Sequence, residues 1–180
     1  MVIECADLRN LLAPVKNIAA DLNDLLTLTS TSPTPRRLST AIVDRIMNQR
    51  DFSCVVTFHG IGAGTGNKRL EGVRIIGMGC INFWEIPSVG RIAHVNDIIV
   101  HPGDHEHQRL EIEKQIMDKL FEIARRERKT IVISEIISDE IKAQLEFIEL
   151  TSDPGRKEIN TMYGKRGFRK RRTGVFRFTF

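Results

Sequence analysis

The stretch Gly90-Arg91-Ile92-Ala93-His94-Val95-Asn96-Asp97-Ile98-Ile99-Val100-His101-Pro102 decides the fold. Its β-branched residues, and the apolar run Ile98–Val100 that stops at a proline, are typical of a buried strand. In the charged segment Glu111–Arg128 that follows, apolar residues recur at three- and four-residue spacing, which predicts an amphipathic helix. A strand, a short polar loop and a helix form half of a βαβ unit, and the loop of such a unit is a common phosphate site.

Composition sets the class of protein. The chain has 180 residues, 41% of them hydrophobic and 28% charged, which predicts one globular domain over residues 1–180. Its net charge of +4 favours anionic partners without separating nucleic acid from phosphorylated metabolites. Cys5, Cys54 and Cys80 show no metal-ligand spacing and no disulfide framework, which indicates a reducing compartment. Without a signal peptide or a membrane-spanning run, we expect a soluble, cytoplasmic protein.

The segments before the central strand predict two helices and two strands. Leucines at helical spacing over residues 8–26 indicate a first helix, which Pro14 kinks or restarts, and a short strand can precede it. Thr34-Pro35 is expected to be the N-cap and first-turn proline of a second helix. Two strands then flank a loop over residues 60–72, at Phe52–Phe58 and Val73–Trp84.

The segments after the central helix complete the expected order. They are a strand at Thr130–Ile133, a helix at about Ser138–Leu150, a short helix that ends near Arg166 before Gly167, and a final strand at Val175–Phe180. The order α, α, β, β, β, α, β, α, α, β predicts an α/β (α+β) architecture, in which a mixed central sheet is covered by helices on both faces.

Three polar motifs have simple structural explanations. The run Gly60–Gly66 precedes a strand, whereas a dinucleotide fingerprint needs a helix there, so it is interpreted as a hairpin loop. His101, His105 and His107 alternate in a polar loop and are interpreted as solvated, so no metal site is expected. The basic cluster between Lys165 and Arg172 lacks interleaved aromatic residues apart from Phe168, which disfavours nucleic-acid binding.

Asp97 is the most informative single residue. An acid inside a strand, followed directly by three apolar residues, is rarely placed there for solubility. Two interpretations stay open from the sequence, a residue that takes part in chemistry and a buried acid held by hydrogen bonds.

Three blocks of the chain carry a resemblance. Ala93–Val100 matches a strand Gly-His-Ile-Glu-Asp-Val-Val-Val, Met162–Phe168 matches a block Phe-Tyr-x-Lys-x-Gly-Phe, and Gly174–Phe180 matches a short final strand near Arg-Phe. With the order of elements, the sequence resembles the GCN5-related N-acetyltransferase (GNAT) superfamily and, within it, the glucosamine 6-phosphate N-acetyltransferases. The fold expected from this resemblance is the GNAT fold.

The sequence departs from that family at four places. Asn96 replaces the family glutamate, and Trp84–Pro87 lacks the lysine of the family's substrate loop. The helix expected at about 138–150 is an insertion. Gln108–Glu113 aligns with the pyrophosphate loop but contains no glycine.

The resemblance implies acetyl transfer from acetyl-CoA to the amine of glucosamine 6-phosphate, giving N-acetylglucosamine 6-phosphate for UDP-N-acetylglucosamine synthesis. It implies that backbone N–H groups of Ile98 and Ile99 polarise the thioester carbonyl, that Asp97 and Asn96 orient the amine, and that Tyr163 is the acid near sulfur. The implied CoA-binding set is Ile98, Ile99, Val100, Gln108, Arg109, Leu110, Glu111, Ile112, Glu113, Lys114 and Asn160. The implied set for the amino sugar phosphate is Thr29, Asp97, Lys129 and Arg177.

Further expectations concern the glycine-free loop and the partners. We expect Glu111 and Glu113 to turn toward solvent, with Arg109 and Lys114 offsetting their charge. The resemblance implies a homodimer without a metal ion or a membrane partner. The alternatives left open are an acetyltransferase for another amine such as a protein N-terminus, a GNAT-fold binding module without activity, and a nucleic-acid binder favoured by charge alone.

Overall fold

The computed structural model describes residues 2–11, 15–29, 37–60, 74–88, 90–102, 108–137, 145–152 and 155–170. It divides into two compact units, Met1–Leu150 and Thr151–Phe180, and each is considered by itself. The single domain expected over residues 1–180 stays a prediction. The expected final strand at 175–180, the Thr34-Pro35 cap, and residues 103–107 of the histidine-containing loop lie outside the described residues.

The first unit contains one five-stranded sheet in the order β1-β2-β3-β4-β5. The strands are β1 (Val2–Asp7), β2 (Phe52–Gly60), β3 (Ile75–Ile86), β4 (Gly90–Val100) and β5 (Leu145–Leu150). Neighbouring strands are antiparallel except β4 and β5, which are parallel. The sheet is therefore mixed, as the order of elements predicts.

In the described part of this unit, the α-helices are α1 (Val15–Thr29), α2 (Thr40–Asn48) and α3 (Arg109–Ile137), and a short 3-10 helix spans Leu8–Asn10. On β3, Met78 and Cys80 belong to a core cluster that includes Leu22 and Leu25 of α1 and Val43 of α2. The glycines that alternate with them, Gly77 and Gly79, face Ile116 of α3. Because side chains alternate across a strand, α1 and α2 cover one face of the sheet and α3 covers the other.

The start of α2 corrects one expectation. The helix begins at Thr40, with Ser39 as its N-cap, whose Oγ accepts a hydrogen bond from the Ile42 N–H. Asn23 of α1 fixes the chain just before this cap, since its side chain accepts from the Leu38 N–H and donates to the Leu38 carbonyl. The anchoring by Asn23 is a tertiary contact, so the local Thr-Pro signal did not locate the helix start.

Two further expectations, both for segments after β4, are wrong. Residues 130–133, expected as a strand, continue α3, and Leu145–Leu150, expected as part of a helix, is the strand β5. Both segments are rich in aliphatic residues, and pairing with β4 decides between them: Leu145–Leu150 provides the parallel partner of Arg91–Val95. Tertiary pairing outweighs local propensity for such short apolar runs.

The second unit contains the helix α4 (Lys157–Lys165) and its C-terminal cap. Gly167 has φ of 91° and donates to the Gly164 carbonyl, while Phe168 N–H donates to the Tyr163 carbonyl. The Tyr163 and Phe168 rings meet edge to face at 6.0 Å. These bonds and the ring contact form a Schellman cap, so the expected stop at Gly167 is confirmed.

Candidate functional site

The two halves of β4 differ in their pairing. From Arg91 to Val95 the strand pairs with β3 on one side and with β5 on the other. The ladder with β5 ends at the pair Val95–Leu150, while β4 continues to Val100. Within the described residues, Asn96–Val100 is therefore paired on the β3 side only, and its other edge is open.

A β-bulge lies where this open half begins. Met78 is opposite Ile99 and Cys80 is opposite Asn96, so Gly79 faces both Asp97 and Ile98. Asp97 has φ of 49°, the one positive value at a non-glycine position among the described residues. A bulge next to an open edge re-aims side chains and N–H groups, and such strained positions concentrate at functional sites.

The direction of the backbone N–H groups follows from one hydrogen bond. His101 N–H donates to the Ile76 carbonyl of β3 at 2.8 Å. Because N–H groups of successive strand residues point to opposite edges, Ile99 N–H points to β3, whereas Ile98 and Val100 present theirs at the open edge. Two N–H donors can thus hold a carbonyl or an extended amide chain laid along this edge.

Asp97 and Asn96 stand beside these donors. The Asp97 side chain is exposed, which removes the interpretation of a buried, hydrogen-bonded acid. Asn96 is half-buried opposite Cys80, and its amide nitrogen lies 3.5 Å from the His94 carbonyl oxygen. The structure therefore brings together the sequence-predicted residues Asn96 to Val100 at one bulge and one edge.

The first turns of α3 carry two ion pairs. Arg109 Nε lies 3.3 Å from Glu113 Oε1, and Lys114 Nζ lies 3.3 Å from Glu111 Oε2. Glu111 is exposed as expected, but Glu113 is fully buried, so the expectation that it turns to solvent is wrong. Its position explains the burial, because Glu113 precedes Met117 by four residues and so shares the sheet-facing side of the helix.

The other residues expected to bind CoA on α3 divide by burial. Gln108, Arg109 and Leu110 are exposed at the helix start, whereas Ile112 is fully buried against the sheet. Ile112 Cγ2 would lie 3.1 Å from a β-carbon on Gly77, so its side chain is part of the core. Only its backbone remains for binding a ligand.

The expected sugar-phosphate residues are distributed more widely. Thr29 is the last residue of α1, and its Oγ1 donates to the Leu25 carbonyl at 2.8 Å. Lys129 was expected just before a strand, but it lies within α3, and its side chain is outside the described part of the chain. Arg177 is also outside it. Asp97, at the bulge, is the fourth member of this set.

Tyr163 and Asn160 belong to α4 in the second unit. Tyr163 is buried, and its ring packs against Phe168 in the Schellman cap. Asn160 is half-buried, with its N–H bonded to the Arg156 carbonyl within the helix.

All three thiols lie in packed surroundings, with Cys54 and Cys80 buried and Cys5 half-buried. Burial raises the pKa of Cys5 to about 12. The pKa of Cys80 is also raised, first by a hydrogen bond with Cys54 across the β2–β3 pair and then by burial. A thiol must ionise to act as a nucleophile, so a covalent acyl-cysteine route is disfavoured.

Sequence reasoning missed two features of this region. Gly79 faces the bulge, and a β-carbon there would lie 2.4 Å from Ile116 Cγ2. Trp84 of β3 and His94 of β4 stack with ring centroids 5.3 Å apart. Both features depend on the register of β3 against β4, which no local sequence pattern gives. Alternation within each strand could, however, have placed Trp84 and His94 on outward faces.

Two further kinds of feature are absent from the described residues. No group of three or more metal-ligating side chains occurs there. No helix in the same part of the chain is long and apolar enough to cross a bilayer.

No protein-family model matches the chain, and no curated protein matches its sequence. Solved structures do match its fold. An acetyltransferase from Trypanosoma brucei has a TM-score of 0.62 at 17% identity, with 99% of this chain and 100% of that one covered. A ribosomal-protein-alanine N-acetyltransferase from Brucella melitensis biovar Abortus 2308 has a TM-score of 0.61 at 16% identity, with 100% and 99% covered.

The glucosamine-6-phosphate N-acetyltransferase of Arabidopsis thaliana matches with a TM-score of 0.56 at 12% identity, and 99% of each chain is covered. Identities this low establish the fold and leave the substrate open. The chain therefore has the GNAT acetyltransferase fold, with a mixed sheet between helices, as expected from the sequence.

Proposed function

We propose that this protein is an N-acetyltransferase that moves the acetyl group of acetyl-CoA to the amine of glucosamine 6-phosphate. The product would be N-acetylglucosamine 6-phosphate, for UDP-N-acetylglucosamine synthesis. The observation that supports this most is the open half of β4, where a bulge at Asp97 leaves N–H donors at an edge without a β5 ladder.

The open edge suits the thioester. When an amine attacks the carbonyl carbon, negative charge develops on the carbonyl oxygen, and a fixed N–H donor stabilises it without reorganisation. Ile98 N–H, directly after the bulge, is the proposed donor, and Val100 N–H would bind the amide chain of CoA further along. Ile99, also implied by the resemblance, would contribute its side chain, because its N–H points toward β3.

The acceptor amine would meet Asp97. Its exposed carboxylate can orient an ammonium group and take its proton, directly or through water. Asn96 can orient the amine but cannot accept a proton, since an amide is not a base. Attack forms the C–N bond and breaks the C–S bond, and the leaving thiolate needs a proton from an acid.

Tyr163 is proposed as that acid, on the basis of the resemblance. A tyrosine hydroxyl in water has a pKa of about 10, slightly above that of a thiol, so an acid of this type need only share its proton with the developing thiolate. Tyr163→Phe is expected to lower kcat by one to three orders of magnitude, on the order of what one acid contributes, with little change in acetyl-CoA affinity.

The phosphates of CoA would bind at the start of α3. Backbone N–H groups at Gln108–Leu110 and the half-exposed Arg109 guanidinium fit an anion. The paired Glu111 and buried Glu113 oppose it, so affinity should be weaker than in proteins with a glycine loop. Asn160, Lys129, Thr29 and Arg177 keep their proposed binding roles, and the resemblance further implies a homodimer.

The deciding experiment measures thiol release from acetyl-CoA with glucosamine 6-phosphate and with a panel of peptides that have free N-termini. Glucosamine 6-phosphate should be the better acceptor, and Asp97→Asn should lower kcat by about tenfold or more while the protein stays folded. Release with peptides but not with the sugar would replace this substrate with a protein amine, a candidate favoured by the match to the Brucella enzyme.

A non-catalytic binding module is a second candidate, favoured by the ion pairs that occupy both Arg109 and Lys114. Calorimetry with acetyl-CoA separates it from the enzyme. Binding that Arg109→Ala weakens supports the proposed enzyme. If millimolar acetyl-CoA produces neither heat nor a thermal shift, the proposed enzyme is contradicted and the binding module takes its place.

A further inference from the structure

Two cysteines lie directly opposite each other in the middle of the sheet. In the antiparallel pair of β2 and β3, Cys54 is opposite Cys80. Both are free thiols in hydrogen-bond contact, and both belong to the core cluster that also contains residues of α1 and α2. The proposed acetyl transfer uses neither thiol, and their mutual contact makes one reaction available, which is the formation of a disulfide.

The hydrogen bonds between β2 and β3 show which kind of cross-strand pair this is. Phe83 N–H donates to the Asp51 carbonyl at 2.9 Å, one step before the first pair of the ladder. Hydrogen-bonded and non-hydrogen-bonded pairs alternate along an antiparallel ladder. Cys54 comes three residues after Asp51, so Cys54 and Cys80 form a non-hydrogen-bonded pair.

The other edge of β3 leads to the same assignment. The Ile76 carbonyl accepts from His101 N–H, so Ile76 directs its backbone groups toward β4. Cys80 is an even number of residues further along and does the same. Cα atoms of a non-hydrogen-bonded pair are about 4.5 Å apart, and disulfides form at Cα separations of about 4.4–6.8 Å. The backbone therefore permits this bond without rearrangement.

The sheet separates the third cysteine from this pair. Cys5 of β1 is opposite Thr57, and its Sγ lies 3.7 Å from the Gln115 carbonyl oxygen of α3. Cys54 and Cys80 are on the opposite face, in the core cluster with α1 and α2. Of the three possible pairings of the cysteines, the fold therefore allows only Cys54 with Cys80 in the folded chain.

Burial decides which oxidant can react. Cys54 is 3% exposed and Cys80 is 4% exposed, so a bulky disulfide such as oxidised glutathione has no path to either sulfur in the folded state. Hydrogen peroxide is small and uncharged, and it can enter during brief openings of the core. Because buried thiols ionise rarely, the reaction should be slow.

We propose that Cys54 and Cys80 form a reversible disulfide across β2 and β3 when the protein is exposed to hydrogen peroxide, and that Cys5 stays outside the bond. This inference goes beyond the proposed acetyl transfer and does not depend on it.

The reaction takes two steps. One cysteine, as its thiolate, attacks a peroxide oxygen and breaks the O–O bond, giving a sulfenic acid and a hydroxide that takes up the proton lost by the thiol. The sulfur of the second cysteine then displaces the sulfenic hydroxyl, which leaves as water. In sum, two thiols are oxidised to one disulfide and one peroxide is reduced to two molecules of water.

The neighbouring thiol decides the outcome of this oxidation. A sulfenic acid without a partner can be oxidised further to a sulfinic acid, which thiol reductants do not restore. With the second sulfur already in contact, condensation to the disulfide is faster than a second encounter with peroxide. The bond would also tie β2 to β3 next to Gly79, the residue that faces the bulge.

Peptide mapping of the full wild-type chain tests the proposal. The folded protein is kept with millimolar hydrogen peroxide for hours, free thiols are blocked with an alkylating reagent under denaturing conditions, and the digest is analysed without reduction. The expected product is a monomer in which the peptides of Cys54 and Cys80 are joined, and which dithiothreitol returns to two thiols. Alkylation of both cysteines, a bond to Cys5, or a bond between two chains overturns the proposal.

Single variants provide the second measurement, with the sulfenic-acid reagent dimedone present during oxidation. In Cys80→Ala the remaining Cys54 has no partner, so it should accumulate as the dimedone adduct or as a sulfinic acid. Cys5→Ala is the matched control and should form the Cys54–Cys80 bond at the wild-type rate. If Cys54 gives equal amounts of adduct in the wild type and in Cys80→Ala, the second sulfur does not trap the sulfenic acid and the proposal is wrong.

Discussion

The two halves of β4 both contain β-branched residues, but their surroundings differ. The half from Arg91 to Val95 has a strand on each side, and its residues Ala93 and Val95 are almost fully buried. The half from Asn96 to Val100 has β3 alone beside it in the described part, and it contains the bulge with φ of 49° at Asp97. One strand thus provides packing in its closed half and, in its open half, the bulge and free edge where we propose that acetyl transfer takes place.

Substitutions at the boundary between the two halves should have the largest effect on the free energy of unfolding. In Gly79→Ala the new β-carbon would lie 2.4 Å from Ile116 Cγ2 and 3.2 Å from Leu120 Cδ1, so α3 must shift. Isoleucine is stiff at χ1, which leaves little room for relief, and we expect a loss of about 3 kcal/mol in the free energy of unfolding. Urea denaturation measures it.

Gly164→Ala is the control for that change. No atom lies within 4 Å of a β-carbon at Gly164, which is inside α4, so this variant should gain about 0.5–1 kcal/mol. Equal stability of the two variants would show that the sheet does not need close approach of α3 at the bulge.

Substitutions in the closed half should lower the stability of the protein and leave the kinetics of acetyl transfer unchanged. Val95 is buried and lies at the last β4–β5 pair, so Val95→Ala is expected to cost about 2 kcal/mol through lost burial and a cavity. At a temperature where the variant is fully folded, KM for acetyl-CoA should stay within about twofold of the wild type. A large rise in KM with little loss of stability would reverse the division of roles between the halves.

In the open half, protein stability should depend on whether the residue at position 97 can adopt a positive φ. Asp97→Val places a β-branched residue at φ of 49°, which is expected to cost about 1–2 kcal/mol, whereas Asp97→Gly adopts this conformation without strain. Both variants remove the carboxylate, so both should lose activity, while thermal melts separate them. If Asp97→Val and Asp97→Gly melt together, the bulge is not strained at this residue.

How far the sequence predicts this molecule depends on whether the signal is local. The strands around Cys54, Ile81 and Val95 follow from alternation and turns, and the stop at Gly167 follows from its freedom to adopt φ of 91°. Asp97 stood out because an acid inside an apolar strand needs an explanation.

The remaining features depend on contacts between distant segments. The bulge requires Gly79 of another strand, and the burial of Glu113 requires the sheet beneath α3. The choice of Leu145–Leu150 over residues 130–133 as the strand requires a partner in β4. Register and burial of this kind are properties of the assembled sheet, so no single window of sequence contains them.

The smallest expected effect concerns the surface of α3. Lys119 and Arg126 bind Glu122 at 2.6 and 2.9 Å, and the hydrogen bond from Lys119 is the main cause that lowers the pKa of Glu122 below its ordinary 4.5. A carboxyl whose pKa is lower in the folded state stabilises the fold above its unfolded pKa, and this contribution is lost as pH falls through the folded value.

Glu122 is half exposed, so solvent screens the pairs, and Glu122→Gln should change the free energy of unfolding by only about 0.3 kcal/mol at pH 7. The difference should shrink in high salt and at acid pH, where the wild-type carboxyl is itself protonated. Urea melts at neutral and acid pH, in low and high salt, measure it. A loss above about 1 kcal/mol that persists in salt would mean that this exposed helix surface stabilises the protein as much as the buried closed half of β4 does.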